Sequence, residues 1–193
     1  MVRPRSKIHG VGINDADYTV YKNVMGRIVC CPFYRVWKEM IRRCYCEKTK
    51  KTNKSYADVV VAEEWHTFSN FKYWMETQDW GGKQLDKDLL STGVKIYSKE
   101  TCIFISKELN LALSGEFNSK RELPTGVVFD KGVKKYRASF RNKYTGKSEY
   151  LGIYLTPEEA HNVWKIRKKK YIMELAKQES DIRIAEAINN RYN

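Results

Sequence analysis

The 193-residue chain contains no apolar run longer than four residues, Val59-Val60-Val61-Ala62 being of that length. A membrane-spanning helix needs roughly 20. The opening Met1-Val2-Arg3-Pro4-Arg5 leads into no hydrophobic stretch, so neither a membrane span nor a secretory signal is expected. Cysteine is scarce and odd in number, five in all, which excludes a disulfide scaffold and fits a reducing compartment where thiols stay free. Acidic residues are also in short supply: 23 Asp+Glu face 36 Lys+Arg, for a net charge of +13. With 42% apolar and 13% aromatic residues the chain has enough core-forming material to exclude a disordered tail. The expectation is a soluble, cytoplasmic protein with no membrane partner, drawn to a polyanion and foremost to nucleic acid.

The charge is uneven. Residues 120–193 hold 17 Lys+Arg and 9 Asp+Glu, a net of +8, which leaves +5 for the rest. The polar run Ser114 to Pro124, with Gly115 and Pro124, marks a boundary near residue 118. The expected organisation is an N-terminal extension over 1–29, a first module over 30–117, a second over 118–178 and a helical tail over 179–193. In the first module, Phe33, Val36, Trp37, Met40, Ile41 and Cys44 recur at helical spacing after Pro32, which suits a helix's first turn. Arg42 and Arg43 are expected to face outward. Phe68, Phe71, Trp74 and Met75 predict a second helix after a short strand in Asp58–Ala62, and the basic cluster Lys48–Lys54 reads as an exposed loop. From Gln84 to Leu113 the order expected is strand, loop, strand, helix, the last over Lys107–Leu113.

The second module is plainer. Tyr136, Ala138 and Phe140 alternate with Arg137, Ser139 and Arg141, the pattern of a half-buried strand. Gly126–Phe129 and Ser148–Leu155 flank it, joined through turns at Gly132 and Lys143–Gly146. Thr156-Pro157-Glu158-Glu159 then supplies an N-cap, a first-turn proline and early acidic residues to a long helix carrying Ala160, Val163, Trp164, Tyr171 and Leu175. The run Lys165–Lys170 is expected on that helix's solvent side, with backbone contacts to DNA as the functional option. Ile182, Ala185 and Ile188 suggest a last amphipathic segment suited to docking or a homodimer.

Two resemblances follow from these residues. Thr125-Gly126-Val127, Lys135–Arg141, Tyr150–Tyr154 and Thr156–Ala160 together resemble the Apetala/ethylene-response-factor DNA-binding domain, over roughly residues 120–177. The resemblance implies a three-stranded sheet lying in the DNA major groove. Trp37–Met40 with Arg43-Cys44-Tyr45, Ala62–His66 with Phe68, Leu85–Leu90, and Tyr97–Cys102 through Asn110 resemble the nuclease half of small bacteriophage HNH endonucleases of the homing type. The implied fold is α+β: an HNH, ββα-metal-like module, then a three-stranded antiparallel sheet packed on one long helix.

On the sheet, Arg137, Ser139 and Arg141 share a face from which side chains reach base edges, and arginine pairs bidentately with guanine. Tyr150 stands at an aromatic position of the resembled family. Lys135, Lys143 and Lys147 near the turns suit phosphate contacts, which position without specifying. The resembled plant domains carry an arginine-rich first strand where this chain has Val128 and Asp130, so its target sequence is expected to differ. For the nuclease half, the resemblance implies magnesium or another divalent ion on Asp86 and Asn110, with Lys87 where the family has its histidine base. The phage subgroup that this half resembles also carries Leu-Asp-Lys-Asp, as in Leu85–Asp88, but has Gly-Asn-Lys where this chain has Gly93-Val94-Lys95, and cysteine where it has Ala62. Of the three histidines only His66 has a plausible catalytic role, and a structural one suits it better. Cys44, Cys46 and Cys102 lack the spacing of a zinc site. Two functions stay open: a metal-dependent double-stranded DNA endonuclease or nickase, and a cleavage-dead relative that represses transcription from an operator without a cofactor. An RNA-binding or structural phage protein is a third.

Overall fold

A computed structural model of the chain describes residues 6–91, 93–114 and 122–192. Among these the architecture is mixed α and β, with six α-helices and four small sheets, one of them three-stranded and antiparallel. The described chain falls into two compact units, the first running to Gly81 and resuming over Leu85–Phe104, the second comprising Gly82–Gln84 and Ile105 onward. The boundary expected near residue 118 lies outside the described residues.

The first unit opens with a segment expected as an extension but built into the core, since Ala16 and Val20 are buried and Ile8 and Val11 pack beside them. A hairpin of β1 (Tyr21–Val24) and β2 (Arg27–Cys30) follows, and then helix α1 (Pro32–Tyr45). Pro32 occupies the first turn, where its missing N–H is no loss, and Tyr34, Trp37, Met40, Ile41 and Cys44 form the buried stripe. The basic cluster expected as a loop is instead helix α2 (Glu47–Thr52) followed by a 3-10 turn at Lys54–Tyr56. Lysine and threonine in sequence tolerate a helix, and α2 buries no residue. Strand β3 (Val60–Val61) pairs in parallel with β5 (Ile96–Tyr97). Helix α3 (Phe68–Glu76) presents Phe68, Phe71 and Met75 inward. The core is aromatic: Trp37, Trp65, Phe68 and Phe71 are at most 1% exposed, and the Trp37 indole N–H donates to the Trp65 carbonyl at 2.7 Å. Arg43, expected outward, is half-buried with its guanidinium 5.9 Å from the Tyr56 ring centroid. Strands β4 (Gln84–Asp86) and β6 (Ile103–Ile105) pair with each other.

The second unit contains α4 (Lys107–Leu113), the sheet β7 (Val127–Asp130), β8 (Lys135–Arg141) and β9 (Ser148–Tyr154) in that spatial order, then α5 (Pro157–Ala176) and α6 (Ile182–Tyr192). Thr156 and Glu159 close a reciprocal capping box at the start of α5, satisfying N–H groups that a helix end leaves unpaired. The sheet lays Val127 and Ala138 against Ala160 of α5. Gly126 makes that closeness possible, because a Cβ there would lie 2.1 Å from Trp164 Cδ1 and its φ of +86° disfavours other residues. Of the residues expected to form a docking stripe on α6, Ile188 is fully buried, Ala185 is half-buried and Ile182 is 72% exposed; the helix packs along α5 through Ile184 and Ile188. Among the described residues no helix is long and apolar enough to cross a membrane.

Candidate nucleic-acid interface

The face of the three-stranded sheet follows from register. Residues opposite one another in antiparallel strands share a face. Val128 pairs with Arg137 and Arg137 with Ile153, while Ser139 pairs with Tyr150 and Arg141 with Ser148. Ala138, Phe140 and Val127 point the other way and are buried, so the arginine face is the one left in solvent. Arg137, Arg141 and Lys135 are exposed, Ser139 is half-buried, and Tyr150 is 62% exposed beside it. A register shift between Ala138 and Ser139 bulges β9 there, which brings Tyr150 opposite Ser139. Asp130 stands near the same face with a carboxylate oxygen 3.9 Å from Arg137 Nη1, a loose exposed ion pair. The structure thus brings Arg137, Ser139, Arg141 and Tyr150 onto one surface, flanked by the apolar Val128 and Ile153.

The turn lysines differ from one another. Lys147 is exposed, whereas the Lys143 ammonium donates to the Ser114 carbonyl at 2.7 Å, at the C-terminal end of α4. That contact suits a cation at a helix C-terminus. The helix run Lys165–Lys170 is not a uniform solvent side. Lys168 is 6% exposed with its ammonium 5.2 Å from the Trp164 ring centroid. Arg167 lies 5.0 Å over Phe140 and donates to Glu149 at 2.7 Å. Their long stems and charged heads help close the inner side of the sheet, which leaves Lys165 and Lys170 as the exposed cations of the run.

The nuclease-type residues have a different setting. Asp86 ends β4, and its Oδ1 accepts the backbone N–H groups of Asp88 at 2.9 Å and Leu89 at 2.8 Å. Burial raises its carboxyl above the ordinary range, against the pull of those two bonds. The next side chain, Lys87, is 8% exposed and its ammonium donates to Asp88 while lying 5.9 Å from the Tyr97 ring centroid. Arranged this way Lys87 is a hydrogen-bond donor to its neighbouring carboxylate. A cleft of about 240 Å³ opens beside it, lined in part by Ser55, Tyr56, Asp88 and Lys95. Asn110 sits on α4 in the second unit and donates its amide N–H to Gln84 Oε1 at 2.7 Å. Asp86 and Asn110 each keep one side-chain oxygen outside these bonds, an oxygen donor type that a magnesium ion accepts. Among the described residues no group of three or more His, Cys, Asp or Glu side chains is placed to hold a metal.

His66 is structural in this fold, with Nε2 3.0 Å from the Tyr45 hydroxyl, which also accepts the Val61 N–H at 3.1 Å. All five cysteines are free, and burial pushes the Cys44 and Cys102 thiols up to about 12, so both behave as inert core groups. One feature escaped the reading by periodicity. The hairpin β1–β2 carries exposed Lys22 and Arg27, and its signal is Gly26 in a two-residue turn between Tyr21–Val24 and Arg27–Cys30. Comparison with protein-family models, with curated proteins and with solved structures finds no match.

Proposed function

We propose that the chain is a sequence-specific double-stranded DNA-binding protein that reads its site with the exposed face of β7–β9. The observation that carries this reading is one sheet with two unlike faces: the inner one closed on α5, the outer one presenting Arg137, Ser139, Arg141 and Tyr150. Such a face meets what major-groove reading needs, since alternate side chains project together and arginine matches the two acceptors of guanine. The excess of Lys and Arg supplies the non-specific, salt-dependent attraction on which that reading is superimposed.

Occupation of a DNA site, as a repressor acts, is the better supported mode. Lys87 is engaged as a hydrogen-bond donor to Asp88, so the residue at the position of the resembled enzymes' histidine base is already paired with a carboxylate. A second reading, metal-dependent cleavage or nicking of the homing type, draws on Asp86, a half-buried carboxylate held by its own turn. A magnesium ion, when bound through the Asp86 carboxylate, would supply Lewis-acid stabilisation of the phosphate. The chain's own contribution would be to hold Asp86 rigid through the Asp88 and Leu89 N–H groups.

The test is selection of a duplex from a random-sequence library by the full chain, followed by incubation of that duplex with magnesium or manganese beside an Asp86→Ala control. Retention of one sequence family with the DNA intact is the expected result. Discrete nicks that vanish in the control establish the second reading, and retention of no sequence above bulk DNA across a range of salt overturns both.

A further inference from the structure

The hairpin β1–β2 is anchored at its base, where Cys30 packs against the core and the Tyr21 ring meets Tyr34 edge-on at 5.8 Å, yet every residue from Tyr21 to Val29 is exposed. Register places Lys22, Val24, Arg27 and Val29 on one face and Tyr21, Asn23, Ile28 and Cys30 on the other. A lone two-stranded hairpin is marginal in water, and this one leaves Ile28 77% and Val29 50% exposed instead of burying either face. Its tip is stranger still. Met25 and Gly26 have φ of 49° and 78°, the two-residue turn that favours asparagine before glycine. A methionine gains nothing locally from a left-handed backbone, and Met25 is 100% exposed, so no packing within the chain offsets its presence there. An apolar side chain held at the end of a ribbon against local preference is arranged for something outside the chain.

Charge identifies the occupant. From Tyr18 to Lys38 the chain has no acidic residue and four basic ones, Lys22, Arg27, Arg35 and Lys38. The Lys38 ammonium donates to the Tyr21 hydroxyl at 3.1 Å, adding a third cation at the base of the hairpin. A second copy of a chain with net charge +13 is repelled by such a ribbon, while a polyanion is attracted. A four-residue strand spans about 13 Å, against a major groove about 8.5 Å deep that admits a two-stranded ribbon. We infer that the β1–β2 hairpin is a second DNA-contacting arm, with Lys22 and Arg27 on phosphates and Met25 against base edges in the groove. This inference rests on the DNA-binding reading of the sheet and adds a second set of DNA contacts to those of the sheet.

The probe is the duplex that the full chain selects from a random-sequence library. The double variant Lys22→Ala/Arg27→Ala, which changes two exposed side chains, is expected to weaken binding about tenfold and to flatten the slope of log affinity against log salt by about 2. Met25→Asn suits the turn better and keeps the hairpin folded, yet is expected to lose about threefold in affinity through the missing apolar contact. Footprints of both variants should lose protection on one flank while the sheet's site stays protected. Unchanged affinity, salt slope and footprint in both variants, with wild-type protein bound to the selected duplex, overturns the arm and leaves the sheet reading intact; a hairpin that serves a protein surface gives that result. Failure of the wild-type chain to select any duplex overturns the sheet reading and the arm with it.

Discussion

In the first unit Trp37, Trp65, Phe68 and Phe71 meet in a core sealed from solvent. In the second, the sheet is joined to α5 through the small residues Val127, Ala138 and Ala160, and the cations Lys168 and Arg167 lie over Trp164 and Phe140 to finish the seal. The contrast extends to the charged groups on which the proposed function draws. Lys87 and Asp86 are drawn inward and satisfied by near neighbours, whereas Arg137 and Arg141 stand on an open face. A buried charged group is held in one arrangement by its partners, which suits chemistry at a fixed point. Groups on an open sheet face keep their donors for a ligand.

This contrast can be broken first at its largest energies. Trp37→Ala removes a fully buried indole and its hydrogen bond to Trp65, and should cost about 3–5 kcal/mol in urea unfolding followed by tryptophan fluorescence. A loss below about 1 kcal/mol would mean the aromatic core is not what holds the first unit. Next is Gly126→Ala, whose new methyl would meet the Trp164 ring at 2.1 Å on a left-handed backbone. It should cost about 3 kcal/mol and disturb the near-ultraviolet signal of Trp164. Gly146→Ala, at a φ of +75° with open space around it, serves as its control at about 1 kcal/mol.

Smaller effects sharpen the functional side. Arg137→Ala should relax base preference at one position of the selected site by about 1–3 kcal/mol, measured by competition among single-base variants. Lys147→Ala should instead weaken all sequences alike and lower the salt slope by about 1. Equal behaviour of the two variants would show that the sheet face holds phosphates only. The smallest effect is at Asp86. Its carboxyl titrates higher in the folded chain than unfolded because burial penalises the charge. Over the pH range between those two values the folded state binds more protons, so stability falls as pH rises through it from about 4. Asp86→Asn keeps an oxygen for the Asp88 and Leu89 N–H groups, and should raise Tm slightly at pH 7 but not at pH 3. A melting series over pH checks the sign, and a lower Tm at pH 7 would show that the ionised carboxylate is stabilising.

Much of this was readable along the chain because local physics decided it. The stripe Trp37, Met40, Ile41, Cys44 and the proline before it define α1, and the alternation Tyr136 to Arg141 with the Thr156 cap defines β8 and the start of α5. The face that Arg137, Ser139 and Arg141 share followed from the same alternation. The hairpin β1–β2 was missed because its apolar residues fall on both faces and so show no period. Helix α2 looks like a loop in the sequence because a helix with no buried residue leaves no stripe.

Sequence alone determined the positive charge, the elements with one buried face, the turn glycines and the capping residues, because each depends on neighbours within a few positions. Tertiary structure decided which charges remain available. Arg43 beside Tyr56, Lys168 beside Trp164, Lys87 on Asp88 and Lys143 on the Ser114 carbonyl are ordinary exposed cations in any local reading. A long cationic side chain settles where an aromatic ring, a carboxylate or a helix end comes within its reach. Except for Asp88, and for Trp164 one helical turn before Lys168, those partners come from elsewhere in the folded chain.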